Sequence, residues 1–366
     1  MAKIIIRRLF NILLIVAIIA SVFMYPQWYK RQVHKLQGMY YVAKGDKFLR
    51  KTQFQNAINE YRHGLDLYPE HYGAWFNLGN IYVVYEDYYS SIDAYKEAIK
   101  YNPNYVLARM NYGIVSAEKL GDFDSAIEQY NKIIDIQKKP VYIPFVFNNL
   151  RSYKTNIGLA YYNKGVAYRQ KSVYMDADKQ SREQNLMKAI DSFKSATKIM
   201  KNDYDSMYNL ALAYHLNGDY NLAGVTYCKA IEIEPMNYEA HYNLAVLLSH
   251  LKYYREALRE MQKANSIITS SNGNSNQTRY MYEVMGDVTR NILKDDGGMK
   301  YLSEEFEEEN KSSDGGLVYV NGKVVASDDL DKSMTKNMGK CTARSIFRDE
   351  DNPRGYDYED VGGILN

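Results

Sequence analysis

Trp75-Phe76-Asn77-Leu78-Gly79-Asn80-Ile81-Tyr82 places Trp, Leu-Gly and Tyr at the spacing W-x2-L-G-x2-Y. Ser91, Tyr95, Ala98 and Pro103 follow at fixed distances behind it. The same spacing returns every 34 residues: Gly45, Gly79 and Gly113 keep it, as do Pro69 with Pro103 and Tyr61 with Tyr95. Further on, Ala189, Ala223 and Ala257 repeat at 34, and so do Phe193, Tyr227 and Met261. Much of the unusual tyrosine content, 37 residues, falls at these places. A period of this length marks a stack of small supersecondary units. One helix pair cannot bury its own apolar face, so stability comes from the neighbours stacked against it. Small side chains such as Gly79, Ser91 and Ala94 let two helices close on each other. Tyr82 and Tyr95 fill the space between pairs, and Pro103 ends the second helix.

This segment resembles the tetratricopeptide-repeat family, residue for residue at Trp75, Leu78, Gly79 and Tyr82, with Ser91 in place of the usual alanine. The resemblance covers about residues 38–268. It implies an all-α fold, a right-handed superhelical solenoid of about six helix pairs with a concave groove. The six units fall at 38–71, 72–105, 106–140, 158–203, 204–237 and 238–271. The fourth is longer by about twelve residues, through an insert near 170–183 that extends its helices or bulges out. A second insert, 141–157, carries the apolar run Val141–Phe147, expected to pack inside the superhelix or else to form a partner site. After a polar Ser/Asn/Gly loop, residues 279–294 read as an amphipathic helix that caps the last repeat.

The ends of the chain differ from its middle. Leu9–Tyr25 is apolar except for Asn11 and Ser21 and is flanked by Arg7, Arg8, Trp28 and Tyr29. At about 1.5 Å per residue it is long enough, at the short end, to span a bilayer core. Residues 1–31 are therefore expected to form a membrane anchor and its flank. A cleaved export signal competes with that reading, but Ile18 and the bulky Val22–Tyr25 make a poor cleavage site. Arg7 and Arg8 adjoin the apolar run, so the N-terminus is expected in the cytoplasm and the repeats outside it. Residues 295–366 hold 17 Asp/Glu against 9 Lys/Arg, giving this tail about −8 and the rest about +10 of a net +2. This acidic tail reads as mostly disordered, apart from a small hairpin over Val318–Val325 turning at Asn321–Gly322.

Nothing in the pattern carries catalysis. Gly316 and Gly322 stand one residue too far apart for a phosphate loop, and Val324 replaces its Ser/Thr. The six histidines are scattered, and Cys228 and Cys341 form no CxxC pair, so neither a metal site nor a disulfide framework is indicated. The basic residues alternate with acids, unlike a nucleic-acid footprint. No cofactor is implied.

Asn77, Asn111, Asn163, Asn209 and Asn243 each precede by two the small residue of a first helix, namely Gly79, Gly113, Gly165, Ala211 and Ala245. The resemblance places them on the concave groove, where a carboxamide can both donate to and accept from a peptide backbone. Phe76, Tyr162, Tyr208 and Tyr242 stand one residue earlier and add aromatic contact. Helix packing alone is the competing explanation for the row. A chaperone-tail-binding subgroup of the family needs cations that this chain lacks at Val42, Asp46, Leu107 and Asn111. The sequence thus points to a membrane-held scaffold or adaptor that binds a protein or peptide, such as a subunit of an envelope assembly. An exported soluble chaperone or carrier is the alternative.

Overall fold

The computed structural model describes residues 23–137, 150–175, 178–270, 318–320, 323–325 and 338–348, with isolated positions elsewhere. Most of Leu9–Tyr25, the run Val141–Phe147 and most of residues 279–294 lie outside these. No helix among the described residues is long and apolar enough to cross a membrane. The chain divides into two compact units, one ending at Ile136 and one beginning at Gln137.

The first unit is three helix hairpins in series: α1 (Pro26–Leu49) with α2 (Phe54–Leu67), α3 (Tyr72–Val84) with α4 (Tyr88–Tyr101), and α5 (Val106–Lys119) with α6 (Phe123–Gln137). In each pair a ring of the second helix rests on a glycine of the first. A Cβ on Gly45 would stand 2.7 Å from the Tyr61 ring, on Gly79 2.5 Å from Tyr95, and on Gly113 2.6 Å from Tyr130. These tyrosines are buried to within 1%. Tyr95 also packs with Ala108 and Val115 of the next pair, so one ring closes its own hairpin and joins it to the next.

The second unit repeats the plan with α7 (Leu150–Tyr174) and α8 (Lys179–Ile199), α9 (Tyr204–Asn217) and α10 (Tyr220–Ile233), and α11 (Tyr238–His250) and α12 (Tyr254–Ser270). The α7/α8 pair shows what its extra residues do: the two helices run 25 and 21 residues, against 13 to 15 for α3–α6. Phe193 seats on Gly165. In the next pair Ala211 faces a buried Tyr227, both within the main core of this unit.

Turns and caps keep the period too. The chain passes through a left-handed residue between the helices of a pair at Thr52, Glu86, Gly121, Gly218 and Lys252. Asp87, Asp178 and Asp203 cap their helices by accepting from the backbone of Ser90, Ser181 and Ser206, which supplies a partner for an orphan N–H of the first turn.

Two features of the tail depart from expectation. Val318–Val320 and Lys323–Val325 do pair as an antiparallel hairpin. But Met338–Arg348, expected in a disordered stretch, is ordered against α10 and α12, and Thr342–Arg348 forms a 3-10 helix. Cys341 is joined to Cys228 of α10 by a disulfide, Cα to Cα 5.2 Å across 113 residues of sequence. The reading that found no disulfide looked for a local spacing pattern, whereas this bond depends only on which helix face the tail returns to.

Besides the disulfide, three contacts hold the segment. Buried Glu260 of α12 accepts from the Thr342 backbone N–H at 2.9 Å and from its hydroxyl at 2.6 Å. His241 and Lys263 share the same carboxylate. Arg344 pairs with Glu232, and the Phe347 ring fills the space over Gly224 that any side chain there would occupy.

Candidate functional site

The asparagine row is built by periodicity. Each carboxamide stands on the first helix of a pair, and those of Asn77, Asn111, Asn209 and Asn243 meet the pair before it. In the first unit, Asn77 Nδ2 donates to Asp46 Oδ1 at 3.2 Å and to the Tyr61 hydroxyl at 3.1 Å. Tyr61 in turn donates to Asp46 at 2.6 Å. One pair on, Asn111 Nδ2 and the Tyr95 hydroxyl both donate to Asn80 Oδ1, each at 2.8 Å. Asp46 and Asn80 directly follow the ring-bearing glycines, 34 residues apart, and serve as common acceptors.

In the second unit, Asn209 Nδ2 donates to the Tyr162 hydroxyl at 3.3 Å and to the Asp205 carbonyl at 2.9 Å. Asn243 Nδ2 donates to the Tyr208 hydroxyl at 2.8 Å and to the Glu239 carbonyl at 3.0 Å. Asn163, half-buried on α7, has contacts of its own. The row therefore stitches successive pairs together, and both amide protons of Asn209 and Asn243 are committed to the protein. The carbonyl oxygens differ. Those of Asn77, Asn111 and Asn243 accept from no group among the described residues, whereas that of Asn209 accepts from Arg169 at 3.2 Å.

The four aromatic residues are half-buried and face their neighbours. Phe76 lies 5.2 Å from the Tyr105 ring and 6.1 Å from Tyr95; Tyr162 lies 6.0 Å from Phe193. Tyr208 stacks on Tyr204 at 5.8 Å, and Tyr242 packs beside Ala245 and Met261. Burial pushes the Tyr95 and Tyr208 hydroxyls up to about 12, so both remain proton donors or acceptors at neutral pH.

On the same face, one turn before Asn209 and Asn243, stand Asp205 and Glu239. Burial holds both carboxyls above their ordinary range, and the Asp205 charge adds to the shift of Glu239. Sequence reasoning missed these acids, and it missed Arg169. The i−4 offset from the asparagines would have found the acids; no periodic signal marks Arg169.

Four stretches of the chain, 42–84, 72–105, 108–140 and 204–237, match models of the tetratricopeptide repeat. These segments are tetratricopeptide repeats. Repeats of this kind serve as protein-interaction scaffolds. The chain is 23% identical to a BBSome complex member BBS4 homolog of Drosophila melanogaster over 237 residues, 64% of this chain and 42% of that one. It is 22% identical to BBSome complex member BBS4 of Bos taurus over 321 residues, 83% of this chain and 55% of that one. It thus spans about half the length of these curated relatives. A solved tetratricopeptide repeat protein from Parabacteroides merdae superposes with a TM-score of 0.50 at 15% identity, covering 83% of this chain and 99% of that one, which establishes the shared repeat fold.

Proposed function

We propose that the chain is a membrane-anchored scaffold that holds a peptide or a subunit of an envelope assembly along the first helices of its repeats. The observation that carries this reading is that the carbonyl oxygens of Asn77, Asn111 and Asn243 accept from no group among the described residues. A peptide backbone N–H is the simplest group to donate to a series of such acceptors. The row was expected to offer donors and acceptors alike. The amide protons of Asn77, Asn209 and Asn243 are committed to stacking, so these positions present acceptors above all. The names of the two relatives, each a complex member, agree with a subunit-holding role.

Leu9–Tyr25 supplies the anchor in this reading, with the N-terminus in the cytoplasm and the repeats on the far side. The Cys228–Cys341 disulfide supports that orientation, because such bonds persist in oxidising compartments and are rare where thiols are kept reduced.

Photo-crosslinking in native membranes tests the proposal. Leu107 lies one turn before Asn111 on α5 and is half exposed; Tyr89, on the second helix α4, is more exposed still. A crosslinking residue at position 107 is expected to trap a discrete partner, and one at position 89 is not. Equal trapping at both positions, or none at 107, removes the first-helix face as the binding surface.

A further inference from the structure

The second unit leaves a cation without an anion. Arg169 reaches from α7 to α9, where one terminal nitrogen donates to Asn209 Oδ1 at 3.2 Å. Its Nε is buried with no hydrogen-bond partner, and so is the nearby Tyr227 hydroxyl. The charges and dipoles that act on this guanidinium come from tyrosines, Tyr208, Tyr162, Tyr174 and Tyr227, and no carboxylate among the described residues pairs with it. A guanidinium carries five N–H donors and stays charged, so removing it from water without a counter-charge is expensive unless something supplies one.

The first unit shows what a completed site looks like. There Tyr61 and Tyr95 donate to Asp46 and Asn80, whereas the equivalent place beside Tyr227 is Leu212. Asp205 and Glu239, one turn before Asn209 and Asn243 and bonded to them through their backbone carbonyls, repel each other, and neither pairs with a cation among the described residues. Charges of both signs thus stand beside the same asparagines, Arg169 through the Asn209 carboxamide and the acids one turn away, and they do not pair with each other among the described residues.

We propose that the Arg169 guanidinium, framed by Tyr162, Tyr208 and Asn209, is the binding site for a carboxylate of the partner segment, and that the segment carries a basic side chain near that carboxylate which meets Asp205 and Glu239. This deepens the scaffold reading and rests on it. A fork-shaped cation favours a planar carboxylate, held by two parallel hydrogen bonds. The basic side chain is needed because the two acids would otherwise repel an anionic ligand.

The test uses the full-length protein in detergent and fluorescein-labelled nonapeptides with amidated ends. One carries Asp and Lys at neighbouring positions; its twins replace Asp by Asn, or Lys by Gln. A further Asn peptide with a free C-terminal carboxylate distinguishes a chain-end carboxylate from a side-chain one. The expected result is that a carboxylate-bearing peptide binds about tenfold or more tightly than the amidated Asn twin, as a charge-assisted pair should. Arg169→Gln should reduce that ratio to about twofold or less while leaving the Lys-over-Gln preference in place.

Glu239→Gln should do the reverse. Arg169→Lys, which keeps the charge, should retain part of the Asp preference, and it serves if the Gln variant fails to fold. Equal binding of the Asp and Asn peptides, no binding of any peptide, or an unchanged ratio in Arg169→Gln overturns the assignment. Trapping at position 107 does not depend on ligand charge, so the scaffold reading stands or falls separately.

Discussion

Gly79 and Tyr95 show how closely single residues are fitted. A methyl on Gly79 would stand 2.5 Å from the Tyr95 ring, and the ring is held by a hydroxyl bond to Asn80. Gly79→Ala should therefore cost about 1–3 kcal/mol through overpacking, read from the urea midpoint, although alanine is the better helix former. Buried Glu260 gives a pH signature. Burial alone would raise its pKa, but the hydrogen bond from His241, the Lys263 ammonium and the Thr342 hydroxyl outweigh that and hold it at about 2, against 4.5 for a free group. A carboxyl depressed on folding adds stability above its unfolded pKa and loses it as pH falls toward the folded one. Between about pH 4.5 and 2 the second unit should lose stability in proportion, and Glu260→Gln should flatten that slope at the cost of a weaker protein throughout. At this scale the glycine, ring and asparagine positions were legible because they recur every 34 residues. Glu260 and Arg169 were not, since Glu260 gains its role from Thr342 in the tail and no periodic signal marks Arg169.

Turns and helices obey the period even where their residues do not suit it. Glu86 and Lys252 hold left-handed backbone, φ 58° and 65°, at places equivalent to the glycines Gly121 and Gly218 in other pairs. A side chain pays about 1–2 kcal/mol for that conformation, so Glu86→Gly should stabilise the first unit by about 0.5–1 kcal/mol after the added freedom of the unfolded chain is counted. A higher thermal midpoint for the variant is the expected reading. Among the elements, the lengthened α7 and α8 settle between two sequence alternatives: the extra residues continue the helices. The docked segment Met338–Arg348 was illegible because a staple across 113 residues leaves no local trace. A loop of that size is constrained most in the unfolded state, so replacing Cys228 and Cys341 by Ser should cost about 2–5 kcal/mol. Equal denaturation midpoints for the oxidised and reduced protein would contradict that stapling role.

At the scale of the whole chain, the repeats bury their cores within each unit, through Tyr61 and Tyr95 in one and Phe193 and Tyr227 in the other. No part of that burial calls on a bilayer. Removal of residues 1–31 should accordingly leave a folded, strongly helical protein. A truncated chain without helical circular dichroism would contradict the view that stacking alone sustains the fold. The repeat architecture could be read from sequence because stacking imposes the same letters again and again. The partner could not, because the groups proposed to hold it, the asparagine carbonyls and Arg169, are distinguished only by the hydrogen bonds they lack among the described residues. Hydrogen exchange on the full-length protein, alone and with its crosslinked partner, addresses this directly. Slowed exchange confined to α3, α5, α9 and α11 is the predicted result; protection confined to the second helices α4, α6, α10 and α12, or none at all, would contradict the account.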